Sequence, residues 1–221
     1  FGTASPESER AAAEMNAYFL ARINDIRRHP KNHLLGQLVA METEDGMLDD
    51  EELLSFCRLL LIAGNETTTG LITASARIFH EQPETLIQLK QQPQLSGSFV
   101  EEALRYYSPF SATVRRTTRE VELAGQTIAE GELVVPLIAS ANRDERVFDA
   151  PDTFNIHRSP NPHLALGFGI HVCLGAHLAR LEGRIVAEQL AERYSEVALV
   201  YPDTTSVGDL GGPKELAIIV R

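Results

Sequence analysis

The chain has 221 residues, of which 43% are apolar, enough for a sizeable core in one domain or a pair of lobes. Its formal net charge of -11 argues against binding to nucleic acid or to an anionic membrane surface. Two cysteines give no disulfide framework, and the longest apolar run, residues 53–63, falls far short of the ~20 residues of a membrane span. We therefore expect a soluble, cytoplasmic protein.

The N-terminal segment predicts two helices. Ser5 and Pro6 are typical of a helix start, and apolar residues follow at helical spacing as far as Ile26. Pro30 ends this element because proline cannot continue a helix. A second, short helix is expected over residues 34–41.

A long helix is predicted next. Asp49 and Glu52 form a capping-box pattern, and the helix should run to about His80 before Pro83. Its middle, residues 64–70, reads GNETTTG, which contains poor helix formers whose hydroxyls can bond the carbonyl four residues back. Because the apolar pattern continues beyond it, we expect a continuous helix that is locally widened rather than broken.

The rest of the chain predicts helices and short strands. Helices are expected over 84–91, over 98–107 and from after Cys173 to about Tyr194. Strands are expected over 112–118, 121–123, 127–128, 132–137, 197–201 and 216–220. The loop 142–163 is long for a segment without secondary structure, which itself suggests a function. This order predicts a mainly α fold with small β-sheets.

Cys173 lies where a glycine-rich loop gives way to a helix, in the stretch LALGFGIHVCLGAHLAR of residues 164–180. The N–H groups and partial positive charge of a helix start favour a thiolate, which is a ligand and a nucleophile. The glycines allow the backbone to approach a flat ligand closely. The pattern predicts a metal-bound or reactive cysteine, and the alternative is a buried free cysteine.

Three further patterns accompany this loop. Glu66 and Thr67 place a carboxylate beside a hydroxyl in the unusual helix segment. Glu102 and Arg105 lie one helical turn apart and therefore on the same face. The loop 158–163, which reads RSPNPH, directly precedes the cysteine stretch.

Together these patterns resemble the cytochrome P450 haem-thiolate monooxygenases, in particular the C-terminal portion of the soluble bacterial ones. The helix pattern Ala/Gly-Gly-x-Asp/Glu-Thr-Thr/Ser falls at residues 63–68, and Glu-x-x-Arg falls at Glu102 and Arg105. The cysteine pattern aromatic-x-x-Gly-x-His/Arg-x-Cys-x-Gly falls at Leu166, Gly169, His171, Cys173 and Gly175. The likeness covers essentially all 221 residues in the family's order.

The resemblance implies a haem b cofactor with the Cys173 thiolate as the axial iron ligand. His171 and Arg115 match positions that hold a haem propionate. The remaining haem-contacting positions are Gly64, Gly167, Phe168, Gly169 and Gly175. Glu102, Arg105 and Arg158 match a structural network that fixes the cysteine loop. Loss of any one of these three residues should therefore also lose the haem.

The resemblance also implies an activity, in which one atom of dioxygen is inserted into a small hydrophobic substrate by hydroxylation or epoxidation. Glu66 and Thr67 would relay protons to the oxygen, and Gly64 would leave room for it. Electrons would come from NAD(P)H by way of a ferredoxin-type donor. Residues that match substrate-contacting segments are Leu61, Ala63, Phe110, Ala112, Val114 and Val207.

Two departures from the family stand out. Leu166 replaces the usual phenylalanine beside the sulfur, which should alter the iron's potential. The match begins at the long helix region, so residues 1–221 are expected to be the C-terminal haem-binding portion, with the N-terminal portion of the family absent.

Two alternatives stay open at this point. One is a catalytically inactive relative that acts as a partner-binding or haem-sensing module, although such a module would not need Cys173, Glu66 or Thr67. The other is a zinc site formed by His171, Cys173 and His177, which lacks an obvious fourth ligand.

Overall fold

The computed structural model describes residues 5–43, 46–200 and 217–221. They fall into two compact units, Phe1–Asn65 and Glu66–Arg221. Helices dominate both units and all β-structure is in two-stranded antiparallel pairs of the described residues, which confirms the mainly α expectation.

The first unit begins with α1, Pro6–Arg28, and α2, Leu34–Val39. Ser5 caps α1 as expected, since its side chain accepts a hydrogen bond from the Ser8 N–H at 3.2 Å. A short hairpin of β1, Glu42–Thr43, and β2, Gly46–Met47, follows and was not predicted. The buried core of this unit consists of Ile23, Leu38 and Leu53.

The long helix α3 spans Asp50–Glu81 and crosses from the first unit into the second. The predicted capping box is present: Glu52 N–H donates to Asp49 Oδ1 at 2.8 Å, and Asp49 N–H donates to Glu52 Oε2 at 2.9 Å. The expected local widening is wrong, because residues 64–70 continue as regular α-helix. Packing of the apolar face that begins at Leu71 outweighs the poor helix propensity of this segment.

The second unit continues in chain order with short helices and strands around two longer helices. The elements are α4 Pro83–Gln91, α5 Ser96–Tyr107, β3 Arg115–Arg116, β4 Val121–Leu123, β5 Gln126–Ile128, β6 Leu133–Val134, α6 Ile138–Ala141, α7 Ala176–Arg193, β7 Val197–Val200 and β8 Ala217–Val220. β3 pairs with β6, β4 with β5 and β7 with β8.

The strands are shorter than predicted. Of the segments 112–118 and 132–137, only the two residues of β3 and the two of β6 form a ladder, while α6 occupies a stretch where no helix was expected. Strand propensity describes what a residue tolerates, whereas a ladder also requires a partner of matching register. The predicted strand ends at 201 and 216 lie outside the described residues.

The core of the second unit lies where α3, α5 and α7 meet. Leu71 and Val100 are buried against Gly183 on α7, where a side chain would not fit. Phe79 and Phe99 stack with ring centroids 5.0 Å apart in the same core. This packing fixes α7, and with it the loop that carries Cys173, relative to α5.

Within the described ranges, every helix falls short of a membrane span in length, in apolarity or in both.

Replacing Gly183 by alanine should destabilise the protein by about 1 kcal/mol, because crowding in the packed core outweighs the helix propensity that alanine gains over glycine. The added methyl group would come to 2.8 Å from Leu71 Cδ2 and 3.2 Å from Val100 Cγ2. Gly97→Ala on α5 is the matched control, because nothing lies within 4 Å of its added Cβ and alanine favours helix. Urea unfolding compares the two variants, and a midpoint for Gly183→Ala at or above that of Gly97→Ala would contradict the packing argument.

Candidate functional site

Cys173 lies at the end of a tightly folded loop and its side chain is exposed. A single 3-10 turn, Gly169–His171, precedes it, and α7 begins at Ala176. The Cys173 N–H donates to the Leu166 carbonyl at 2.7 Å, which closes the loop across its base. The structure thus presents the sulfur beside the first turn of a helix, as the sequence predicted.

Two glycines are required by the loop's backbone. Gly167 has φ +75°, and a Cβ there would lie 2.6 Å from the His171 carbonyl oxygen. Gly169 has φ +64°, in the left-handed region that favours glycine. Gly175 lies directly beside the sulfur, since a Cβ there would be 3.9 Å from Cys173 Sγ.

Most side chains of the loop that leads to and follows Cys173 are apolar and exposed. Phe168 is 84% exposed and Ile170 is 97% exposed, and Val172 and Leu174 on either side of the cysteine are also exposed. Exposed apolar side chains grouped in this way are typical of a site that takes an apolar ligand.

These features fit a haem held by one thiolate. A thiolate-ligated haem needs one cysteine ligand, apolar surroundings and backbone that can come close to a flat ring. A zinc site would need three or four protein ligands, yet the part of the chain that the structure describes has no group of three or more His, Cys, Asp or Glu side chains suited to a metal ion. The zinc alternative of His171, Cys173 and His177 is therefore wrong.

A buried carboxylate, Glu102 on α5, organises the loop that leads to Cys173. It accepts hydrogen bonds from Arg105 Nε and Nη2, both at 2.8 Å, and from Arg158 Nε at 3.0 Å. The backbone N–H of Asn155 and the amide of Asn161 add bonds of 2.9 and 3.0 Å. The side chains of Glu102 and Arg105 have no exposed area. The structure thus brings together the three residues that the sequence grouped.

Both arginines also bind backbone carbonyl groups. Arg105 Nη1 and Nη2 donate to the carbonyls of Asn142, Pro151 and Thr153 at 2.9, 2.8 and 3.1 Å, so that all five of its N–H groups are used. Arg158 likewise binds the carbonyls of Asp149, Ala150 and Thr153. The long loop 142–163 is therefore held by side chains rather than by its own secondary structure.

Asn142 is a connecting residue that the sequence reasoning missed. Its side chain is buried, donates to Ser108 Oγ at 2.8 Å and accepts the Leu164 N–H at 2.7 Å. It therefore joins the end of α5 to the start of the cysteine stretch. In the sequence, only the position of Asn142 at the start of the long loop indicates such a role.

Glu101, next to Glu102, was also missed. It accepts hydrogen bonds from His163 and Arg180, on either side of the cysteine loop. Burial alone would raise the pKa of the Glu101 carboxyl, but these hydrogen bonds outweigh burial and lower that pKa to about 2. The adjacent acids are visible in the sequence, but the element that each one contacts is not.

The predicted oxygen-side residues lie on α3. Gly64 and Glu66 are exposed and Thr67 is half-buried, all within the regular helix. Thr67 stands one turn before Leu71, on the face that packs against α7. The proton-relay role of Glu66 and Thr67 stays a prediction.

The remaining predicted residues lie in several places. Arg115 on β3 is exposed and donates to Thr113 Oγ1 and to the Val114 carbonyl, both at 2.9 Å. His171 is exposed in the 3-10 turn. Two of the substrate candidates, Leu61 and Ala63, are exposed on α3 in the first unit. Three more follow α5 in the second unit, where Phe110 and Val114 are exposed and Ala112 is half-buried. The last candidate, Val207, lies outside the described residues.

Known proteins are similar to this chain in sequence and in fold. A family model described as cytochrome P450 matches residues 76–200. The biotin biosynthesis cytochrome P450 of Bacillus subtilis (strain 168) is 43% identical over 193 residues, covering 87% of this chain and 49% of that protein. The chain spans about half the length of the curated relatives it matches.

Two solved structures are similar over almost the whole chain. The crystal structure of P450BioI in complex with an acyl carrier protein ligated to hexadec-9Z-enoic acid gives a TM-score of 0.89 at 39% identity, covering 99% of this chain and 57% of that one. CYP109E1 from Bacillus megaterium in complex with testosterone gives a TM-score of 0.86 at 39% identity, covering 96% of this chain and 60% of that one.

Arg105→Lys should lower the free energy of unfolding by about 3 kcal/mol, because a lysine ammonium cannot replace the hydrogen bonds of the guanidinium. Glu102 and three backbone carbonyls would then lack hydrogen-bond donors in a buried place. Arg146→Lys is the matched control, since Arg146 is 85% exposed and pairs only at the surface with Asp144. Its effect should be small, because a solvent-exposed ion pair contributes little to stability. Equal urea midpoints for the two variants would contradict the importance of the buried network.

Proposed function

The chain belongs to the cytochrome P450 family, and on that premise we propose that it forms the C-terminal, haem-binding portion of a monooxygenase. The proposed reaction inserts one atom of dioxygen into a small hydrophobic substrate by hydroxylation or epoxidation. The observation that carries the proposal is the exposed Cys173 thiol, held beside a helix start in a glycine loop that also carries exposed apolar side chains.

Cys173 is proposed as the residue whose thiolate would hold the iron of a haem b. When bound, the haem iron supplies the oxygen chemistry, and thiolate ligation favours cleavage of the O–O bond. The loop contributes a fixed sulfur, apolar side chains that exclude water and, at Gly167, Gly169 and Gly175, backbone without side chains. His171 and Arg115 are proposed to bind the haem propionates, which agrees with their positive or hydrogen-bonding side chains at exposed positions.

Glu66 and Thr67 are proposed to deliver protons to the dioxygen co-substrate. The Glu66 carboxylate is exposed on α3, where it can exchange protons with water, and Thr67 is the less exposed of the two. A hydroxyl can accept a proton from one side and donate its own to the other, so Thr67 Oγ1 can relay protons inward from Glu66. Gly64, one turn earlier, adds no side chain that would occupy the oxygen position.

The substrate is proposed to be small and hydrophobic. In the second unit, Phe110 and Val114 are exposed apolar side chains that would contact such a molecule. Leu61, in the first unit, is exposed and apolar as well. The relatives agree with this class, since one was crystallised with a fatty acyl chain on its carrier protein and another with testosterone. A ferredoxin-type protein is the proposed electron donor. No observation favours the catalytically inactive alternative.

Cys173→Ala should abolish the strongly red-shifted Soret band that a thiolate-ligated haem gives when reduced and exposed to carbon monoxide. The second cysteine provides a matched control: Cys57 is buried in α3, and Cys57→Ala should keep the band. The spectrum is measured on the protein that carries this chain, together with its haem content. A red-shifted band that survives in Cys173→Ala would exclude Cys173 as the ligand.

Thr67→Ala should keep the haem but divert reducing equivalents to peroxide. Product formation should fall by about 10²-fold, the lower end of what a proton-transfer group contributes. Thr69→Ala is the control, because residues two apart on a helix face different directions. Peroxide and product are measured per NAD(P)H consumed, with a substrate first identified by its binding spectrum. Unchanged coupling in Thr67→Ala would rule out the relay.

A further inference from the structure

Glu101 binds both flanks of the Cys173 loop. His163, on the segment that leads into the loop, has Nε2 3.1 Å from Glu101 Oε2. Arg180, on α7 beyond the loop, donates Nε to Oε1 at 2.7 Å and Nη2 to Oε2 at 3.0 Å. One carboxylate on α5 therefore ties the segment before Cys173 to the helix after it.

The His163 ring continues this connection into the loop backbone. Its side chain is only 3% exposed, and Nδ1 accepts the Ala165 N–H at 3.3 Å. Because Nδ1 accepts, the ring proton is assigned to Nε2, which donates to Glu101. The next residue, Leu166, provides the carbonyl that accepts the Cys173 N–H. A series of hydrogen bonds thus runs from Glu101 to the backbone that closes the cysteine loop.

Arg180 connects the same carboxylate to the helix that begins just after Cys173. Its hydrogen bond to Glu101 raises the pKa of Arg180, so the guanidinium stays positively charged. The two parallel hydrogen bonds fix the plane of the guanidinium more tightly than a single contact would. Glu101 therefore fixes the position of the Arg180 guanidinium on α7.

This cluster uses different partners from the neighbouring network. Glu102 binds Arg105 and Arg158, whereas Glu101 binds His163 and Arg180. Consecutive residues on an α-helix point about 100° apart, which explains how adjacent acids reach separate partners. A variant of Glu101 can therefore be tested without removing a member of the buried Glu102 network.

We propose that Glu101 is a positioning residue for the Cys173 thiolate: through His163 and Arg180 it fixes both ends of the loop that presents the sulfur. The inference rests on the proposed function, in which Cys173 ligates the haem. Glu101 itself does not contact the cofactor in this scheme. It acts through its two partners.

The test is Glu101→Gln in the haem-loaded protein that carries this chain. Glutamine keeps the size of the side chain but loses the charge and one acceptor, so the haem should dissociate about tenfold faster, in line with the loss of one charge-assisted hydrogen bond. Part of the reduced carbon monoxide complex should lose its strong red shift. The midpoint potential of the remaining thiolate-ligated haem should become more positive, because the Arg180 charge is no longer balanced.

Glu188→Gln is the matched control. Glu188 lies on α7, accepts a hydrogen bond from Ser96 on α5 and pairs with Arg184, so it joins the same two helices away from the cysteine loop. It should leave the spectrum and the potential unchanged. If Glu101→Gln folds poorly, Glu101→Asp is the second variant, since it keeps the charge but cannot reach both partners. Its reduced carbon monoxide complex should also lose part of the red shift, but less of it than in Glu101→Gln.

The outcomes separate the two proposals. A wild-type protein with haem but without the red-shifted band would overturn thiolate ligation and this inference with it. A normal wild-type band, combined with a Glu101→Gln variant that is less stable to urea but has unchanged haem dissociation, spectrum and potential, would reduce Glu101 to a purely structural residue and overturn this inference alone.

Discussion

The buried Glu102–Arg105 pair is the interaction on which the rest of the second unit depends. Removing two charges from water is costly, and the cost is offset only where every donor and acceptor finds a partner. Here Arg105 uses all of its N–H groups, and Glu102 adds Arg158, Asn155 and Asn161. Most of these partners belong to the loop 142–163, which forms no regular helix or strand of its own. The ion pair therefore serves as the anchor for a long loop that would otherwise have many conformations.

The helix α5 positions the cysteine loop through contacts made in several directions. Glu102 holds the long loop, and Glu101 contacts the segment before Cys173 and the helix after it. At the end of the helix, Ser108 binds Asn142, which in turn binds the Leu164 N–H. The apolar face of α5 packs Val100 against Gly183 of α7. A single rigid element thus determines the position of the sulfur, which is the arrangement that a precise ligand site requires.

The two cysteines are expected to differ in reactivity because their surroundings in the fold differ. Cys57 is buried on α3, where burial raises the pKa of its thiol, so it is expected to remain protonated and inert. Cys173 is exposed next to a helix start, with glycines on both sides and outward-facing apolar neighbours. In the proposed function only the second can present a thiolate to iron. The difference lies in the folded environment and not in the residue type.

The sequence alone determined the longer helices, the caps of α1 and α3, and the motif that carries the family. Ser5, the Asp49–Glu52 capping box and the glycines around Cys173 act within a few residues, so a local pattern reveals them. Tertiary structure decided the rest: the strands are short because they depend on partners, and the segment 64–70 stays regular because the adjoining apolar face packs. Asn142 and Glu101 gained their contacts from residues distant in sequence. A local pattern cannot contain such contacts, because they exist only once the chain has brought those segments together.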